Sequence, residues 1–97
     1  MSAPLHTAAE RPESIRALLS ERLRANAVEV IDDSHLHAGH AGARDGRGHF
    51  RVRVVSQAFE GLRTLQRHQL VYRSLGELMQ TDIHALSIAA FTPAEAG

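Results

Sequence analysis

The sequence predicts a mixed α/β (α+β) fold of order αββαβ, a three-stranded mixed sheet covered by helices on one face. Three observations carry the prediction. Apolar residues recur at helical spacing over residues 12–25 and again over 64–80. Between them, Phe50-Arg51-Val52-Arg53-Val54 alternates with the period of two expected of a half-buried strand. After the second helix, residues 83–91 form an uncharged run, and a strand entered through a helical crossover favours parallel pairing with its neighbour.

Residues 1–11 mix Ser, Ala, Pro, His and Thr without periodicity and read as a flexible arm ahead of one domain over 12–97. The first helix starts at Pro12, because proline suits a first turn where its missing N–H has no partner to lose, and Glu13 meets the positive end of the dipole. Ile15, Leu18, Leu19 and Leu23 form its apolar stripe, with Glu13, Arg16, Arg22 and Arg24 toward solvent. Asn26 ends it, and the β-branched Val28, Val30 and Ile31 begin the first strand.

Residues 32–48 turn polar and glycine-rich, a loop long enough inside a compact domain to be a functional candidate by length alone. The following strand, antiparallel to the first, puts Phe50, Val52 and Val54 on one face and Arg51 and Arg53 on the other. A turn over residues 57–62 has Gly61 as its permissive point. Thr64 then caps the second long helix, which runs to about Gln80 and carries Leu65, His68, Val71, Tyr72, Leu75, Leu78 and Met79 on one face. Thr92-Pro93-Ala94-Glu95 has the form of a cap and first turn of a short terminal helix.

Composition bounds the chemistry. The 97 residues, 43% hydrophobic and 23% charged, suit a single globular domain. Eleven Arg and no Lys balance 11 acidic residues, which argues against a strongly basic nucleic-acid binder while leaving room for a local patch. Without cysteine the chain has no disulfide, no thiolate nucleophile, no Cys-based zinc finger and no self-contained iron–sulfur site. Residues 1–10 lack the basic start and apolar run of a secretory signal, and the nearly apolar residues 85–91 fall far short of the roughly 20 needed to span a bilayer. A cytoplasmic protein with no membrane partner is expected.

The unusual item is seven histidines. His35, His37 and His40 cluster in the loop and His84 opens the last strand; neutral imidazole coordinates zinc, copper or iron, though a glycine-rich loop supplies ligands without fixing their geometry. A solvated loop with incidental histidines explains the same spacing. His68 shares a helical face with Val71 and Leu75 and reads as a packed structural residue. His49, beside the loop, faces water or anchors it, and His6 belongs to the arm. Arg51, Arg53, Arg63 and Arg67 form an alternative, phosphate-contacting set for DNA, against which stand the 11 acids and the shortage of aromatics to stack on bases. Ser34 and Ser56 have histidines nearby in sequence, but no base, orienting carboxylate and oxyanion donors come together, so an enzyme is not expected.

The run Phe59-Glu60-Gly61-Leu62-Arg63-Thr64-Leu65-Gln66-Arg67-His68-Gln69-Leu70-Val71-Tyr72-Arg73-Ser74-Leu75 resembles the signature of the BolA family, Phe-x-Gly followed by Arg-His-x-x-Val-Tyr-x-x-Leu. Val28-Glu29-Val30-Ile31-Asp32-Asp33-Ser34, Gly48-His49-Phe50-Arg51-Val52 and Ile83-His84-Ala85-Leu86 are similar to that family's first strand, second-strand entry and last strand, so the resemblance spans about residues 12–95. It implies a KH-like fold and a heterodimer with a monothiol glutaredoxin. A [2Fe–2S] cluster would be shared between the glutaredoxin cysteine, a glutathione thiol and imidazole from this chain, a ligation akin to Rieske centres. The resemblance carries the last-strand ligand onto His84 and the loop ligand onto His37, through Ser34-x-x-His37, with His40 and His35 as alternatives because the loop repeats His-Ala-Gly. The free protein is expected to be a monomer or weak homodimer. Some relatives are linked to DNA and transcription through a helix-turn-helix-like segment, here about residues 57–79; the Gly-x-x-Gly loop of KH domains is missing at Phe59-Glu60-Gly61-Leu62.

Overall fold

The computed structural model describes residues 6–34 and 48–97. Helix α1 (Arg11–Arg22) has Pro12 in its first turn and buries Ile15, Leu19 and, just past its end, Leu23. Each such side chain contributes about 1.5–3 kcal/mol on leaving water. Arg24, at φ +47°, reverses the chain, and Asn26 N–H donates to Val55 C=O at 2.7 Å, which opens the sheet. Strand β1 (Ala27–Asp32) runs antiparallel to β2 (Gly48–Val55), from Ala27 opposite Val55 to Asp32 opposite Phe50. Strand β3 (Ile83–Phe91) lies parallel to β2 on its other side, giving the order β1-β2-β3 and the mixed sheet that the crossover requires. Phe50, Val52 and Val54 pack under the helices with Val71, Leu75, Leu78 and Ile83, and Arg51 and Arg53 take the open face.

Between sheet and second helix, Ser56 is buried: its hydroxyl donates to Leu23 C=O at 2.6 Å and accepts from Ala58 N–H at 3.0 Å, starting the short 3₁₀ turn Gln57–Phe59. Helix α2 (Thr64–Leu75) is capped by Arg63 rather than Thr64, the Arg63 N–H donating to Gln66 Oε1 at 2.9 Å. It stops well before Gln80. Gly76 adopts φ +55° and ψ −124°, a conformation open to glycine that breaks the helix, and a separate turn α3 (Leu78–Thr81) follows. The buried face also differs from the expected one. Val71, Ser74 and Leu75 point inward, whereas Leu65 is 69% and Tyr72 41% exposed and His68 half-buried. The serine is tolerated there because its hydroxyl donates back to Leu70 C=O at 2.9 Å.

Arg67, expected at the surface, turns inward. It lies 6.0 Å over the Phe59 ring and donates to Leu62 C=O at 2.9 Å, Ala90 C=O at 3.1 Å and Glu95 at 2.6 Å. Glu95 belongs to α4 (Pro93–Ala96), where it also accepts from Thr92 N–H in a capping box. The Arg67 guanidinium holds the Glu95 carboxyl down at about 2, with the Thr92 backbone N–H assisting. A carboxyl depressed in the folded state stabilises it above the usual carboxylate range and loses that contribution as pH falls toward the folded value. Acidification from pH 5 to about 2 is therefore expected to free α4, seen as loss of the Thr92 and Glu95 amide shifts by NMR before the sheet melts. Among the described residues, no helix is long and apolar enough to cross a membrane.

Candidate functional site

The site is built where β2 and β3 begin. Helix α3 delivers the chain to Asp82, which is 1% exposed. Its Oδ2 accepts from Arg11 Nε at 3.1 Å and from His6 N–H at 2.9 Å, while Oδ1 accepts from the Thr81 hydroxyl at 2.8 Å. Its carbonyl accepts from Gly48 N–H at 2.9 Å, so the same residue ties the first residue of β2 to the start of β3. Arg11 and His6, both placed by composition in a loose arm, are thus part of this clamp.

The parallel register then breaks. Gly48 pairs with Ile83 but His49 pairs with Ala85, so His84 is an extra residue on β3, a bulge. Gly48 stands at this irregular pairing, where a Cβ would lie 2.6 Å from Phe50 Cε2 and 2.9 Å from Ser34 Oγ, so a side chain there would displace one of them. Bulges re-aim side chains, and this one leaves the His84 imidazole exposed at the sheet end while Ile83 beneath it is buried.

His49, expected at the periphery, lies inside the site. It is 9% exposed, its N–H donates to Ser34 Oγ at 3.1 Å, and its carbonyl accepts from Asp33 N–H at 2.8 Å. Its ring centroid is 5.1 Å from that of His84, the planes tilted by 48°. With Asp33, Arg51, Ala85 and Ser87 it lines a shallow depression beside the bulge. The one signal in the sequence was glycine at a strand entry, which often marks a bulge. The contact itself joins two strands that are distant in the chain.

His35, His37 and His40 lie outside the described residues. Ser34, which opens the Ser-x-x-His pattern, is beside the site through its bond to His49. Among the described residues no group of three His, Cys, Asp or Glu could hold a metal ion. The four arginines do not form one surface. Arg51, paired with Asp33 at 2.5 Å, and Arg53, 5.0 Å over the Phe91 ring and opposite Glu29, lie on the open face of the sheet. Arg63 caps α2 on the helical side, and Arg67 is committed to Glu95 and two carbonyls.

The pattern of the BolA-like protein family matches residues 19–95. The chain belongs to the BolA family. It is 45% identical over 86 residues to SufE-like protein 1 of Arabidopsis thaliana, covering 84% of this chain and 23% of that one. The solved BolA domain of that plant protein superposes with a TM-score of 0.78 at 45% identity, covering 88% of this chain and 94% of the domain. BolA-like protein 1 of Mus musculus is 45% identical over 82 residues, 84% of this chain and 58% of its own length. The chain thus spans well under two thirds of these curated relatives. The DNA-binding transcriptional regulator BolA of Escherichia coli is 39% identical over 82 residues, 80% of this chain and 75% of that one. Several signature positions of this BolA-family chain serve the fold: Phe59, Val71 and Leu75 are core, and Gly61 adopts φ +75° in the turn before α2.

Proposed function

We propose that this BolA-family protein is a non-enzymatic accessory subunit of iron–sulfur cluster assembly, trafficking or iron homeostasis that joins a monothiol glutaredoxin through a [2Fe–2S] cluster also held by glutathione. The observation that carries the reading is His84: an exposed imidazole on a bulge whose backbone is clamped from behind by Asp82. An exposed nitrogen donor in a cysteine-free chain fits a mixed site whose thiolates come from elsewhere. When bound, the cluster would supply iron and sulfide for transfer or a redox signal. His84 presents one imidazole from rigid backbone, and a loop histidine, His37 or else His40 or His35, completes this chain's share.

Reconstitution of both proteins with iron, sulfide and glutathione tests it. The parent complex is expected to give a visible circular dichroism spectrum that neither protein gives alone, and His84→Ala to abolish or reshape it. An unchanged spectrum in His84→Ala removes the ligand assignment, and single His35, His37 and His40 variants choose the loop ligand.

A second reading, a DNA-binding regulator, is supported by the name of the Escherichia coli relative and by Arg51 and Arg53 on the open face. It requires salt-dependent duplex binding that charge reversal of these two arginines abolishes. Arg63 and Arg67 lie on the other side of the sheet from them.

A further inference from the structure

We infer that His49 is a positioning residue for His84, an inference that rests on the ligand role proposed for His84. The bulge interrupts the ladder at His84 and re-aims its side chain, and one ring it meets there is that of His49. The backbone of His49 is fixed on the β1 side by Ser34 and Asp33 and on the β3 side by pairing with Ala85. Its ring stands 5.1 Å from that of His84 at a 48° tilt, within the range of a tilted aromatic contact. The Nε2 of His49 is buried and the residue 9% exposed, which offers little to a group carried by a partner protein. The two imidazoles therefore have different tasks: His84 reaches outward, and His49 packs against it and limits its rotamers. Groups that orient a ligating imidazole typically change metal retention by about 10- to 100-fold when removed.

The test compares His49→Ala, which removes the ring, with His49→Phe, which keeps a ring without nitrogen. In the free protein, NMR couplings of the His84 side chain report its rotamers; in the glutaredoxin complex, cluster release to an iron chelator and visible circular dichroism report ligation. His49→Ala is expected to average the His84 rotamers and speed cluster release roughly tenfold, with His49→Phe within about twofold of the parent in both. Should His49→Ala not fold, His49→Leu takes its place, with the same expectation. Parent-like rotamers and release in the truncated variant overturn the inference. So does a His49→Phe complex that loses its cluster as the truncated variant does, because a nitrogen of His49 and not its packed ring would then be what matters. If the parent forms no cluster with the glutaredoxin, the functional reading fails by itself, and the His84 rotamers of the free protein still decide whether His49 positions it.

Discussion

Asp82→Ala is expected to lower the melting temperature by roughly 15–30 °C, the equivalent of about 3–5 kcal/mol in a domain of this size. The Asp82 carboxylate is 1% exposed and the Arg11 side chain 9%, so truncation leaves a guanidinium buried without its counter-charge. The His6 N–H loses its acceptor in the same step, and the Thr81 hydroxyl is left with the Glu77 carbonyl alone. Breaking a buried pair from one side is far more costly than replacing both partners, so Arg11→Met combined with Asp82→Leu should recover much of the loss. A double variant no more stable than Asp82→Ala would show that the charge pair is not the source of the effect. Hydrogen exchange locates the damage: the Gly48 amide, bonded to Asp82 C=O, should lose protection before the amides of α2.

Phe59→Ala is expected to cost about 3–5 kcal/mol, read as a lower urea midpoint at unchanged slope. Phe59 is fully buried at the end of the 3₁₀ turn, in the core with Ile15, Leu19 and Val71 and beneath the Arg67 guanidinium. Its loss opens a cavity where α2 joins the sheet. Phe59→Leu keeps most of the volume and should cost a smaller share. If Phe59→Ala were within about 1 kcal/mol of the parent, the motif Phe-x-Gly would have to be explained by something other than packing.

Short-range pattern was enough for much of the architecture. Alternation in β2 assigned its two faces correctly, because side-chain direction in a strand follows from period two alone. Proline at the start of α1 and the Thr92–Glu95 box at α4 were legible for the same reason: caps satisfy their own local donors. The end of α2 is set locally by Gly76, whereas its buried face is decided by tertiary contacts. Leu65 and Tyr72 read as core by hydropathy but sit outside, while Arg67 turns inward because Glu95, Leu62 and Ala90 offer it acceptors from other segments.

For the site, the sequence by itself determined that this chain brings imidazole and no thiolate, and the resemblance singled out His84. Only the tertiary structure decided what surrounds that residue. The Arg11–Asp82 clamp, the bulge opposite Gly48 and the placement of His49 against His84 each join segments remote in the chain. Such contacts depend on strand register and on which charges are buried together, and neither leaves a local periodicity for a linear reading to find.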